Sequence, residues 1–126
     1  MTRPPRSRVS EIRHAQRESV LLHIIAKCFM QLIQDEPKLS PLSVTRTELS
    51  PDKGHCLVFF HCLGGPKEFE TLRKTLVLFK PSLRKALSQE VEGRYTPDLR
   101  FAYDHQLDKQ RHIDDLIDKL KDEGKL

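Results

Sequence analysis

Apolar residues recur along this chain with two periods, and the change from one to the other marks out its elements. Leu21, Ile24, Ile25, Cys28 and Leu32 follow at three- and four-residue steps with neither Gly nor Pro between them, so a helix is predicted over residues 10–33. Up to Arg17 its large apolar residues are only Val9 and Ile12, which predicts a first half that frays or projects beyond the core. Pro37 and Pro41 end it. Residues 42–49 then alternate and are rich in β-formers, the turn Ser50-Pro51-Asp52-Lys53-Gly54 follows, and the run from His55 to Cys62 completes an antiparallel hairpin. After Gly64-Gly65-Pro66 the helical period returns in Phe69, Leu72, Leu76, Phe79, Leu83, Leu87 and Val91. This stripe runs through Pro81, so the segment is expected to kink just before the proline or to be two helices meeting there, with Gly93 as its stop. Leu99, Phe101 and Tyr103 fall on one face of a third strand, and Ile113, Leu116, Ile117 and Leu120 make a closing amphipathic helix. The order helix, strand, strand, kinked helix, strand predicts a single small α+β domain, a three-stranded sheet with helices on one face.

The stretch HCLVFFHC, from His55 to Cys62, raises the question of a metal site, since a His-Cys pair stands at each end. Zinc needs its four ligands at about 2.0 to 2.3 Å from one point. A strand rises about 3.3 Å per residue, so the two pairs lie roughly 20 Å apart, and adjacent residues point to opposite faces. No metal is expected here, and the stretch reads as a central strand. The three cysteines, Cys28, Cys56 and Cys62, are an odd number on a helix face and a strand; they suggest buried thiols in a reducing cytosol, and a cytoplasmic location is expected.

With 126 residues, 37% of them hydrophobic and 32% charged, the chain has one modest core and a very soluble surface. No apolar run approaches the ~20 residues of a membrane span, and the Arg- and Pro-rich start is not followed by the apolar segment of a secretory signal. The formal net charge of +4 is unevenly placed: residues 1–17 carry five Arg against one Glu, whereas residues 104–126 carry seven acids against five bases. A basic beginning and an acidic end are a common footprint of a polyanion-binding face with an acidic tail kept clear of it. Three parts are expected: a basic flexible arm over residues 1–9, a domain over residues 10–104, and an acidic amphipathic segment over residues 105–126.

Between Thr71 and Gln89 stand Arg73, Lys74, Lys80, Arg84 and Lys85 and not one acid. Arg73, Lys80 and Arg84, spaced by seven and four, would stack along one helical face beside the apolar stripe and border the kink. Such a row suits contact with the phosphates of folded RNA; alone, it reads first as a solvated face, and the arginine-rich start favours RNA. Arg3, Arg6 and Arg8, spread among prolines, read as an arm that orders on RNA or as an untethered terminus. Lys53 and His55 sit at the hairpin turn beside this basic surface, but a turn lysine usually serves only solubility, and contact there is not expected. Phe29 and Tyr95 are the remaining aromatics that could stack on a base, too few for base-stacking readout. Asp104-His105 and His112-Ile113-Asp114-Asp115 set acids beside histidines, but adjacent side chains rarely meet, and no P-loop or dinucleotide fingerprint is present. Neither an enzyme nor a cofactor is expected.

Several strings, in order and spacing over roughly residues 18–120, resemble the ribosome-binding factor A family, whose members are similar to type II KH domains. They are Asp35-Glu36-Pro37-Lys38-Leu39, with one residue more than the family's Asp-Pro-Arg-Leu; Val44-Thr45-Arg46-Thr47-Glu48-Leu49-Ser50-Pro51-Asp52; Leu63-Gly64; Thr96-Pro97-Asp98-Leu99-Arg100-Phe101-Ala102-Tyr103-Asp104; and Arg111-His112-Ile113-Asp114-Asp115-Leu116-Ile117. Where the family has an Ala-x-Gly kink this chain has Phe79-Lys80-Pro81, which keeps a reason to bend but not the glycine that permits close backbone approach to a phosphate. The resemblance implies a KH type II-like domain and a non-catalytic, RNA-binding assembly factor, expected as a monomer. Its partners would be the precursor of the 30S ribosomal subunit and its 16S rRNA, whose late maturation, including the 5′ end, it would assist. The alternative is a protein-interaction module that uses the C-terminal amphipathic helix.

Overall fold

A computed structural model describes residues 8–91 and 96–124. Helix α1 spans Arg8–Asp35, two residues earlier than the periodicity predicts, so Arg8 and Val9 belong to the helix and not to an arm. Its inward face is Leu21, Ile25, Cys28, Phe29 and Leu32, while residues 8–13 are exposed. The exposed half is tethered one turn later: the His14 ring meets the Leu49 carbonyl at 2.9 Å, and the Glu18 carboxylate accepts from the Leu49 N–H at 2.9 Å. Glu36, which precedes Pro37, leaves helical geometry (φ −131°, ψ 81°), as the proline ring requires of the residue before it, and a short 3-10 turn over Pro37–Leu39 leads out.

Strands β1 (Ser43–Leu49) and β2 (His55–His61) pair antiparallel as the expected hairpin. Strand β3 (Asp98–Tyr103) lies parallel to β2, so the sheet order is β1-β2-β3 and the chain crosses between the two parallel strands through α2 (Gly65–Leu78) and α3 (Lys80–Glu90). Gly65, at φ +76°, makes the sharp entry into α2, a conformation costly for any residue with a Cβ. The expected kink is a break: α2 stops at Leu78, Phe79 stands at φ −94° and ψ 2°, and α3 starts afresh with Pro81 in its first turn, where a missing N–H leaves no bond unmade. Gly93, the expected stop, lies outside the described residues.

Alternation decides which strand residues face the helices. Cys56, Val58 and Phe60 of β2 and Leu99, Phe101 and Tyr103 of β3 form one core with the inward faces of α1, α2 and α3. Phe60 is its centre, fully buried, with ring centroids 5.3 Å from Phe29, 5.6 Å from Phe101 and 6.2 Å from Phe69. Burying such a ring contributes about 1.5 to 3 kcal/mol. Phe29 is therefore a core residue and not a platform for a base. The opposite face of the sheet carries Arg46, Glu48, Leu57, Phe59 and Arg100, and there the Arg46 guanidinium lies 3.6 Å over the Phe59 ring. Cys28, Cys56 and Cys62 are buried free thiols, and burial pushes the Cys56 thiol up to about 11.

Helix α4 (His105–Asp122) follows β3 directly, and none of its residues is buried. Among the described residues no helix is long and apolar enough to cross a membrane.

Candidate nucleic-acid interface

The break at Phe79 redistributes the basic row. Arg73 and Lys74 belong to α2, Lys80, Arg84 and Lys85 to α3, so the seven-residue step from Arg73 to Lys80 does not continue one helical face. The stacking of all three expected from spacing fails because that spacing counts turns only within an unbroken helix. Arg73 instead pairs back along α2 with Glu70 at 3.7 Å, and Lys74 and Lys85 are exposed.

Lys80 and Arg84, one turn apart at the start of α3, do come together, against the start of β3. The Lys80 ammonium stands 3.4 Å from the Asp98 carboxylate, and the Arg84 guanidinium donates to the Thr96 carbonyl at 3.4 Å. Asp98 is also the register partner of His55 across the β2-β3 ladder, and its N–H donates to the Gly54 carbonyl at 2.9 Å. The start of α3, the start of β3 and the β1-β2 turn therefore share one end of the sheet, with Lys80, Arg84, His55 and the turn residue Lys53 on them.

That turn is fixed by its own hydrogen bonds. The Asp52 carboxylate accepts from the Ser50 hydroxyl at 2.6 Å and the Gly54 N–H at 2.9 Å, and the Ser50 hydroxyl accepts from the His55 N–H at 3.0 Å. These bonds hold the Asp52 carboxyl below the usual carboxylate range. Lys53 takes a left-handed conformation, φ 63°, which the turn imposes and which presents its side chain outward. Partial burial alone would raise the Asp98 carboxyl, but Lys80, with Arg84 and His55 beside it, holds it below the usual range. Such a group can bind phosphates by charge and shape. Arg3, Arg6 and Tyr95 lie outside the described residues, and Arg8 is exposed at the first residue of α1.

Sequence reasoning passed over the groups that anchor α4. Asp104 is buried; its carboxylate caps α4 by accepting from the Leu107 N–H at 3.2 Å, accepts from the Thr45 hydroxyl at 2.6 Å, and lies 3.4 Å from Arg46 Nε. Burial alone would raise this carboxyl, yet the Thr45, Leu107 and Arg46 donors hold it below its ordinary value. One turn on, Asp108 accepts from the Tyr103 hydroxyl at 2.6 Å and meets His61 Nε2 at 2.8 Å, while the His61 and Tyr103 rings stack 5.5 Å apart. Burial and the bond to Asp108 push the Tyr103 phenol up, and the same bond, with His61, holds the Asp108 carboxyl down. His61 is 6% exposed, and this constellation pins α4 to the end of the sheet. The cap had a signal, an Asp directly before a helical run; the His61 contact joins residues 47 apart and had none.

An antiparallel strand pair, a third strand parallel to the second, helices packed on one face and cations grouped at one end of the sheet define a small α+β domain of type II KH-like order. The family model described as ribosome-binding factor A matches residues 13–117. The ribosome-binding factor A of Syntrophomonas wolfei is 33% identical over 106 residues, covering 80% of this chain and 87% of that protein. The solution structure of a Thermotoga maritima protein described as a ribosome binding factor A superposes with a TM-score of 0.64 at 27% identity, covering 71% of this chain and 85% of that one. The crystal structure of ribosome-binding factor A from Thermus thermophilus has the same fold, with a TM-score of 0.58 at 24% identity over 71% of this chain and 94% of that one. This chain belongs to the ribosome-binding factor A family.

Proposed function

We propose that this protein binds the ribosome as a non-catalytic assembly factor: it associates in the cytoplasm, as a monomer, with the immature 30S subunit and assists late maturation of 16S rRNA, including its 5′ end. Family membership supports ribosome binding, and the observation that carries the RNA contact is the convergence of Lys80 and Arg84 with His55 and Lys53 at one end of the sheet. Added to them in this reading are the exposed Lys74 and Arg73 of α2 and Lys85 of α3, with Arg3, Arg6 and Arg8 as a second basic element at the chain start. The mechanism is binding energy: a protein that prefers one rRNA conformation shifts the precursor's population toward it, by no more than its differential affinity for the two states. Phosphate neutralisation releases counterions, so binding of this kind weakens steeply as salt rises. Co-sedimentation with immature small subunits tests the reading: the protein should travel with the particles in low salt and leave them in high salt, and failure to sediment in low salt would refute it.

One observation favours a second reading. Ile113, Leu116, Ile117 and Leu120 on α4 are 37% to 48% exposed on a helix that buries no residue, which suits docking to a protein. Under that reading, capture of small subunits survives high salt and is lost when Leu116 and Leu120 are changed to Ser.

A further inference from the structure

The two cations at the start of α3 are held by weak partners, and the partner of Lys80 is a carboxylate from another element. The Lys80–Asp98 pair is open at 3.4 Å, with side chains 31% and 38% exposed, and Arg84 donates to the Thr96 carbonyl at 3.4 Å. Asp98 cannot withdraw as a whole, because its backbone is fixed on both sides: its N–H donates to Gly54 and it sits in register with His55. Its side chain is 38% exposed and meets Lys80 at 3.4 Å. We propose that Asp98 is a resident counter-ion at the RNA face, a carboxylate that occupies Lys80 until a phosphate of the RNA displaces it.

The inference rests on the reading that α3 contacts RNA and adds what regulates that contact. Where Lys80 and Arg84 stand together, a phosphate offers more acceptor oxygens than one carboxylate and can take donors from both, so exchange favours RNA. An isolated chloride or a single surface carboxylate gains nothing comparable. Asp98 thereby lowers affinity for weak or misplaced anions more than for a phosphate aimed at both cations, the repulsive element that discrimination requires.

Asp98→Asn keeps the shape of the side chain and removes the competitor. Exposed ion pairs are worth little, so the variant should bind immature small subunits only about two- to fivefold more tightly at moderate salt. Lys80→Gln alone should weaken binding, and in a Lys80→Gln background the Asp98→Asn gain should disappear, since nothing remains to be released. Four results overturn the proposal. If Asp98→Asn weakens binding while the melting temperature is unchanged, Asp98 positions Lys80 for RNA. If the gain persists undiminished beside Lys80→Gln, it reflects net charge alone. If Lys80→Gln and Arg84→Gln leave binding unaltered, the proposal falls together with the RNA reading of α3, an outcome distinct from the fourth, weakened binding without any Asp98→Asn gain.

Discussion

Replacing Asp104 by Ala should be among the most damaging single changes on this molecule, although Asp104 lies at an element boundary and not in the apolar core. The substitution removes a helix cap, worth about 1 kcal/mol. It also takes from the part-buried Thr45 hydroxyl its acceptor at 2.6 Å, leaving the Phe59 carbonyl at 3.3 Å, and removes the carboxylate 3.4 Å from Arg46 Nε, an atom that makes no hydrogen bond among the described residues. A buried donor left with no partner costs about 1 to 3 kcal/mol, and the Thr45 hydroxyl falls at the low end. The Arg46 side chain is 30% exposed and keeps Glu48 and the Phe59 ring, so its share is small. The sum is about 2 kcal/mol, a sizeable part of the roughly 5 to 15 kcal/mol that separates folded from unfolded states. In urea, with a slope of about 1.5 kcal/mol per molar, the midpoint should fall by about 1.3 M. Asp104→Asn keeps an acceptor for the Leu107 N–H but sets an amide NH2 where Oδ2 accepts from Thr45 and faces Arg46, so it should lose the Thr45 bond and the charge yet preserve amide protection in the first turn of α4. Because the folded carboxyl is held below its unfolded value of about 3.9, its stabilisation is present above that pH and is lost as pH falls through the folded value. Asp104→Asn should accordingly flatten the acid limb of stability against pH. A midpoint shift under about 0.3 M for Asp104→Ala, or an unchanged acid limb for Asp104→Asn, would refute the assignment of these bonds.

Phe60→Ala, which empties the centre of the aromatic cluster, should cost about 3 to 5 kcal/mol by urea denaturation, whereas loss of under 1 kcal/mol would mean the core closes without it. A disulfide thiol reagent at pH 8 should find no reactive cysteine in the native protein and three in urea, because Cys28, Cys56 and Cys62 are buried and their thiols are raised by that burial; rapid native reaction would contradict their placement. Chelator should leave the melting temperature where it was, and a chelator-induced loss of fold would mean that the residues from His55 to Cys62 hold a metal after all.

Much of the fold was legible because local rules and tertiary packing agree. Leu99, Phe101 and Tyr103 alternate in the sequence and all three are buried, and Pro51-Asp52-Lys53-Gly54 marks the hairpin turn that joins β1 to β2. The candidate site was legible only in part. Counting by sevens set Arg73 beside Lys80, which holds for an uninterrupted helix, and Phe79 interrupts it. The partners that define the basic cluster, Asp98 and Thr96, reach Lys80 and Arg84 from another element, and no local pattern records a contact across the sheet end. His61 is similar: as a strand residue it read as one half of a His-Cys pair, and its role comes from Asp108 and Tyr103, which chain topology brings beside it. Phe29 shows the reverse error, an aromatic considered for its ring and claimed by the core.

The salt dependence of binding to immature small subunits tests the central claim most directly, measured for the unaltered protein and for a Lys53→Gln, Lys80→Gln, Arg84→Gln triple variant. If each of these cations meets a phosphate, the slope of log affinity against log salt should fall by about 0.9 per lost contact, or about 2.7 in all, taking the duplex-DNA coefficient for duplex RNA. A Lys109→Gln, Lys119→Gln, Lys121→Gln triple on α4 removes the same charge among acids and should leave the slope nearly unchanged. Equal losses from the two triples, or a slope untouched by the first, would contradict an RNA face at the start of α3.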